Sequence, residues 1–126
     1  MEDMSELHST VSVYLIAYDA PRVIDFIRDV FAGEVLLRHD REDGTVQHAT
    51  LAIDESTIMI ADGSEEMPHF PAWLHVYVDD VDATYQLALD HGAVSVREPQ
   101  DEPDGDRRAA VRDSSGNVWW IGAPVA

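Results

Sequence analysis

Two histidines, His48 and His75, are the side chains of this chain best suited to acid–base chemistry. Each lies in a short run of residues with the composition of a β-strand. Imidazole is the side chain whose ordinary pKa lies near neutrality, so either residue could act as a general base or bind a metal. Two imidazoles with no nearby carboxylate make a weak metal site, and hydrogen bonding within a polar patch is the alternative. The remaining histidines, His8, His39, His69 and His91, are expected at solvated loop or surface positions.

Four aromatic residues are suited to stacking against a planar ligand: Tyr14, Trp73, Tyr77 and Trp120. The alternatives are that they fill a groove or form a dimer interface. Arg107 and Arg108 are adjacent, so on a strand they would face opposite ways. One of them could reach an anionic group of a ligand, whereas the other would pair with surface carboxylates.

Strand alternation predicts which side chains share a face of the sheet. Apolar residues at 74, 76 and 78 would lie under a helix, which leaves Trp73, His75 and Tyr77 on the opposite side, facing a groove. The same reasoning assigns further groove positions to Ser12, Tyr14, Ile16, His48, Thr50, Val118 and Trp120.

An internal repeat indicates how these strands are organised. Residues 18–38 and 78–97 both run from Asp through a helical stretch to Gly and then into a Val-rich strand that ends in Arg, at an offset of 97 − 38 = 59 residues. We predict a first helix capped by Asp19 and a second capped by Asp79 or Asp80. The predicted strands are 11–17, 34–39, 46–53, 57–61, 72–78, 93–98, 107–112 and 117–122.

This order predicts an α+β fold of two βαβββ modules in tandem with a concave groove. The modules are expected at 10–62 and 72–124 within a single domain of residues 1–126, joined by a linker rich in Gly, Ser, Glu, Pro and His.

Composition narrows the function further. Eight basic against 25 acidic residues give a net charge of −17, so nucleic acid is a poor partner. No apolar run has the length of a membrane span, and the chain has no cysteine, so we predict a cytoplasmic protein without disulfides or a membrane partner. The dispersed acidic residues are typical of a surface that stays soluble at high salt, as in a protein from a halophilic source. The alternative is that they attract a cationic ligand. No nucleophile or phosphate-loop motif is present.

The repeated module and the run Gly105-Asp106-Arg107 to Trp120 together resemble the vicinal oxygen chelate superfamily over residues 10–124. That superfamily includes glyoxalase I, extradiol dioxygenases, fosfomycin-modifying enzymes and bleomycin-resistance proteins. Gln47-His48-Ala49 and the Gly-Asp-Arg motif are most similar to its PhnB-like branch, and the motif favours Arg107 over Arg108 as the groove arginine.

The resemblance implies four metal-ligand positions, which fall on Ser12, Met59, Trp73 and Trp120. Indole and thioether are not ligands for zinc or iron in such a site, so we expect no metal and no other cofactor. We therefore predict a small-molecule-binding protein that takes a planar or aromatic ligand on Tyr14, His48, Trp73, His75, Tyr77, Arg107 and Trp120. The alternative is a lyase, isomerase or dioxygenase-type enzyme that uses His48 or His75. The resemblance also implies a homodimer.

Overall fold

Each half of the chain folds as a strand, a helix and three further strands. The structure, a computed structural model, describes residues 9–125, and it divides into two compact units between Phe70 and Pro71. The predicted α+β fold of two βαβββ modules is confirmed. In unit 1 the elements are β1 (Val13–Ala17), α1 (Ala20–Phe31), β2 (Glu34–Asp40), β3 (Val46–Ile53) and β4 (Ser56–Asp62). In unit 2 they are β5 (Trp73–Tyr77), α2 (Val81–Asp90), β6 (Val94–Asp101), β7 (Asp106–Arg112) and β8 (Val118–Pro124).

The two sheets have the same strand order. The orders are β1-β4-β3-β2 and β5-β8-β7-β6, so the last strand of each unit lies beside the first and runs parallel to it, while the other neighbours are antiparallel. Such a parallel pair needs a crossover connection, which consists of the helix and the two middle strands of each unit. The helices are short, at 12 and 10 residues, and none within residues 9–125 is long and apolar enough to cross a membrane.

Most predicted boundaries lie within two residues of the observed ones, and β6 is the exception. It continues through Pro99 to Asp101, whereas the predicted strand ended at residue 98. Register shifts between Ser95 and Arg97 and between Arg97 and Gln100 show that its pairing with β7 is irregular. Because β6 is an edge strand, proline and local irregularities are tolerated there.

In unit 1, α1 covers one face of the sheet. Its buried residues, with Leu15, Leu51 and Ile60 beneath them, form the core. Asp19 occupies the N-cap position of α1 but its side chain makes no capping hydrogen bond, so the predicted cap is wrong. The cap is Asp62, whose carboxylate accepts from the backbone N–H groups of Ala20 and Val46, both at 2.7 Å. The first turn of α1 is thereby fixed to the start of β3.

In unit 2 a buried turn fixes the orientation of β8. The carboxylate of Asp113 accepts from the backbone N–H groups of Ser115 and Asn117 and from the indole N–H of Trp119, the last at 2.8 Å. Trp119 is fully buried on the helix side of the sheet. Because side chains alternate along a strand, Trp120 lies on the opposite side.

Candidate functional site

The face of the unit 2 sheet opposite α2 carries a group of aromatic side chains, which we call the aromatic face: Trp73, His75, Tyr77 and Trp120. Along β5 the residues at 73, 75 and 77 are exposed and those between them are half-buried, as predicted. Trp73 and Tyr77 are 74% and 63% exposed. The rings of Trp73 and Trp120 lie 5.9 Å apart and those of His75 and Tyr77 lie 4.6 Å apart, so the four residues form two ring pairs.

His75 lies over the backbone of β8. A Cβ atom built at Gly122 would come within 2.9 Å of the imidazole Cε1 and Nε2, so the absence of a side chain there makes room for the ring. Arg108 donates from Nε to Nε2 of His75 at 3.3 Å. Arginine has no acceptor, so Nε2 must be unprotonated and Nδ1 carries the proton of the neutral ring. Burial and the neighbouring Arg108 charge lower the pKa of His75, which agrees with this neutral form.

The preference for Arg107 as the groove arginine is wrong. Arg107 donates two hydrogen bonds to the carboxylate of Asp82 on α2, at 2.8 and 2.9 Å, and a third to Asp101. These carboxylates raise the pKa of its guanidinium. Arg107 therefore lies on the helix side, and Arg108, opposite Gly122 in the register of β7 and β8, lies on the aromatic face.

Arg97 is a second cation on this face, and sequence reasoning missed it. Its guanidinium carbon lies 5.9 Å from the ring centroid of Trp120, within the range of a cation–π contact, and it forms an ion pair with Glu102 at 2.7 Å. Ala110 on β7 pairs with Arg97 of β6 on one side and with Trp120 of β8 on the other, so the three residues form one row across the sheet. Local pattern gave no signal for this contact, because it depends on the irregular register of β6.

Unit 1 presents a more polar face, on which Tyr14 and His48 meet. The hydroxyl of Tyr14 lies 3.1 Å from Nδ1 of His48, and Nε2 of His48 lies 3.1 Å from the hydroxyl of Thr50. Both ring nitrogens of His48 are thus within hydrogen-bond distance of a hydroxyl group. Since a hydroxyl can donate or accept, the tautomer of His48 is set by which of the two partners donates.

The remaining histidines were expected to be solvated bystanders. His39 lies on β2 directly opposite His48 in the strand pairing and is exposed. His69 stacks on Tyr18, with ring centroids 4.1 Å apart, and His91 occupies the C-cap position of α2. His8 lies outside the described residues.

The four positions that the resemblance assigned to a metal do not fit one. The Ser12 hydroxyl lies 2.8 Å from that of Thr57, Met59 pairs with Tyr14, and Trp73 and Trp120 contact each other through their rings. A thioether and two indoles do not bind zinc, iron or nickel in place of imidazole or carboxylate. Across residues 9–125, no three His, Asp or Glu side chains are grouped so that they could hold a metal ion.

Comparison with known proteins agrees with the architecture of both units. The model of the Glyoxalase/Bleomycin resistance protein/Dioxygenase superfamily matches residues 7–121. Rv0887c of Mycobacterium tuberculosis is 35% identical, over 91% of this chain and 74% of its own length.

Two crystal structures show the likeness in three dimensions. TioX from Micromonospora sp. ML1 has a TM-score of 0.77 at 30% identity, covering 93% of this chain and 99% of TioX. TnmS3 from Streptomyces sp. CB03234, an antibiotic binding protein, has a TM-score of 0.70 at 22% identity, covering 93% of this chain and 99% of its own. The likeness to TnmS3 shows the fold alone.

Proposed function

Because the chain belongs to the Glyoxalase/Bleomycin resistance protein/Dioxygenase superfamily, we propose that it binds a planar or aromatic small molecule on the aromatic face, without a metal. The observation that carries the proposal is the exposure of Trp73 and Tyr77 beside Trp120. Large apolar rings exposed together are uncommon on a soluble protein unless something covers them. The antibiotic binding protein TnmS3 has the same fold, which is consistent with such a role.

The cations on the face add a preference for a ligand with an anionic group. Arg97 and Arg108 both lie beside the rings, although each already pairs with carboxylates, Arg97 with Glu102 and Arg108 with Asp104 and Asp106. Among these carboxylates only Asp104 is more than half exposed, at 53%. An ion pair with an exposed partner contributes about 1 kcal/mol or less, so a ligand carboxylate or sulfonate would compete most readily with Asp104 for the guanidinium of Arg108. Stacking would supply affinity and the arginines would supply orientation.

A pair of probes of equal charge separates stacking from charge. We expect naphthalene-2-sulfonate to bind about two- to tenfold more tightly than cyclohexanesulfonate, since an aromatic pair adds ~0.5–1.5 kcal/mol beyond area burial. Isothermal titration calorimetry measures both constants. Trp73→Ala should abolish the difference, while Phe70→Ala, which removes an equally exposed ring of unit 1 (73% exposed), should leave it intact.

Two results would contradict the proposal. Equal affinity for the two sulfonates would remove the role of stacking, and an equal loss in both alanine variants would make the binding unspecific. The metal-free part has its own test, which is elemental analysis of protein purified without affinity-tag metal. A stoichiometric transition metal that resists dialysis would show that the donor-set argument is wrong.

The enzymatic alternative is favoured by one observation, the contact of His48 with the hydroxyl groups of Tyr14 and Thr50. A histidine held between hydroxyl groups could relay a proton in lyase or isomerase chemistry. His75 is less suited to act as a base, because Arg108 occupies the Nε2 lone pair. We therefore expect different effects from the two alanine variants. His48→Ala would abolish turnover by such an enzyme, whereas His75→Ala would chiefly weaken ligand binding.

We also propose a homodimer with two equivalent sites, in which the partner chain completes the groove over each aromatic face and leaves room for the ligand against Trp73 and Tyr77. An interface of ~1,600 Å² would outweigh repulsion between two acidic chains at physiological salt, where the Debye length is ~8 Å. Sedimentation equilibrium at tens of micromolar protein tests this, and a persistent 14.0 kDa species would refute it. The acidity argues against a nucleic-acid partner, and the lack of cysteine favours a cytoplasmic location.

A further inference from the structure

A cavity of about 350 Å³ in unit 1 involves none of the residues of the aromatic face. It lies where β1 and β4 end and α1 begins. Its lining includes Tyr18, Asp19, Thr45, Asp62, Ser64 and His69. The cavity is large enough for a small organic ligand, and its lining residues determine which class of ligand it could bind.

Most of the polar side-chain atoms in the lining already have partners. Both carboxylate oxygens of Asp62 accept backbone N–H groups at 2.7 Å. The hydroxyl of Thr45 donates to Asp43 at 2.6 Å, and that of Ser64 accepts from the backbone N–H of Met67 at 3.1 Å. A ligand that needs several hydrogen-bond acceptors would therefore find few in this cavity.

Asp19 and a pair of stacked rings complete the lining. Because Asp62 caps α1, the Asp19 side chain makes no capping hydrogen bond, and its backbone is left-handed with φ of 51°. Beside it, Tyr18 and His69 stack with ring centroids 4.1 Å apart, and Tyr18 is 66% exposed. The cavity thus combines a carboxylate outside the capping network with an accessible aromatic surface.

We propose that this cavity binds a small alkylated ammonium ion, of the quaternary or tertiary class, between the Asp19 carboxylate and the Tyr18 ring. Such a cation is attracted by a ring face and by a carboxylate and needs few hydrogen-bond acceptors. Arg41 opposes it, since its guanidinium donates to Thr45 and to the backbone carbonyl of Asp62. The N-terminus of α1 adds a partial positive charge of about one half. The two carboxylates of Asp19 and Asp62 outweigh these positive charges together, and the net charge of −17 favours cations at the surface.

Titration with tetramethylammonium chloride, followed by backbone amide NMR, tests the site. We expect saturable shifts of the Tyr18 and Gly63 amides that sodium chloride at the same ionic strength does not produce. Asp19→Asn and Tyr18→Leu should each raise the dissociation constant about two- to fivefold. The matched control is Asp54→Asn, since Asp54 is also an exposed aspartate with a left-handed backbone (φ of 48°) but does not line the cavity. Asparagine tolerates that conformation, so both asparagine variants should keep the fold.

Four results would overturn the proposal. Equal shifts with sodium chloride would show general screening of the acidic surface. An Asp54→Asn variant as impaired as Asp19→Asn, or both cavity variants binding like the unaltered protein, would remove the site. Tighter binding of methylammonium than of tetramethylammonium would overturn the ligand class, because a primary ammonium relies on hydrogen-bond acceptors.

Discussion

Replacing Asp62 with alanine should destabilise unit 1 more than any other exchange of a single acidic residue that we consider. Its carboxylate is 7% exposed and accepts from the N–H groups of Ala20 and Val46, both at 2.7 Å. Hydrogen bonds to a charged group contribute ~1.5–3 kcal/mol each, and their loss leaves two buried N–H groups unpaired. We therefore expect Asp62→Ala to lower the free energy of unfolding by about 3–5 kcal/mol.

The matched control is the helix cap of unit 2. Asp80 is exposed and accepts one hydrogen bond, from the N–H of Ala83 at 3.1 Å, so Asp80→Ala should cost about 1 kcal/mol. Urea unfolding followed by far-UV circular dichroism is the appropriate assay. All three tryptophans lie in unit 2, so tryptophan fluorescence alone would not report on unit 1 directly.

A cost for Asp62→Ala no larger than that for Asp80→Ala would refute this reasoning. It would mean that Asp19 or water replaces the missing carboxylate at the start of α1. The same variant also tests the proposed ammonium site in the cavity of unit 1, because an Asp19 side chain that caps α1 would no longer be available to a ligand.

Three further predictions concern charge. Arg108→Gln should raise the pKa of His75, because it removes a positive neighbour and leaves Asp104 and Asp106, which favour the protonated ring. The pKa is measured by NMR titration, and the control variant Arg107→Gln should leave it unchanged. Since the folded state lowers that pKa below the ordinary 6.5, the stability that neutral His75 contributes is complete above about pH 6.5 and is lost as the pH falls towards the folded value. His75→Gln should make urea midpoints fall less steeply in that window. The melting temperature should rise from about 0.05 M to about 2 M KCl as carboxylate repulsion is screened, and a flat profile would show that local ion pairs already balance the charge.

The parts of the structure predicted from sequence are those that local pattern determines. Alternation along β5 placed Trp73, His75 and Tyr77 on one face, because side-chain direction in a strand has a period of two whatever the neighbouring strands are. Helix α1 follows an equally local rule, because its buried residues recur with the period of a helix.

The errors arose where the outcome depends on residues far apart in the chain. Adjacent arginines cannot be told apart until the register of β7 against β8 is known, and that register sets Arg108 opposite Gly122. The cap of α1 comes from Asp62, 42 residues beyond Ala20, where no helix-start pattern would look for it. Asp19 is a reasonable cap by propensity, but the buried carboxylate of Asp62 makes charge-assisted hydrogen bonds both to the start of α1 and to the start of β3.

The two units place comparable contacts at equivalent positions, and the backbone register makes this visible. In the parallel strand pairs, Tyr14 lies opposite Met59 and His75 lies opposite Trp120, so Tyr14 and His75 are equivalent positions. The offset between the two units is therefore 75 − 14 = 61 residues, whereas the repeat in the sequence suggests 59. In unit 1 the first strand reaches the third through the Tyr14–His48 contact, and in unit 2 through the His75–Arg108 hydrogen bond.

Both contacts span the last strand of their unit, which lies between the other two, and a small residue of that strand occupies the equivalent position in each unit. Gly122 lies under His75, and the position 61 residues earlier is Ala61, which is also buried. The repeat has therefore kept the geometry of a side-chain bridge across the sheet while its chemistry has diverged. Unit 1 pairs a phenol with an imidazole, which can exchange a proton, whereas unit 2 pairs an imidazole with a permanent cation, which holds the ring neutral. This difference is why we propose ligand binding at the aromatic face of unit 2 and place proton transfer at His48 in the enzymatic alternative.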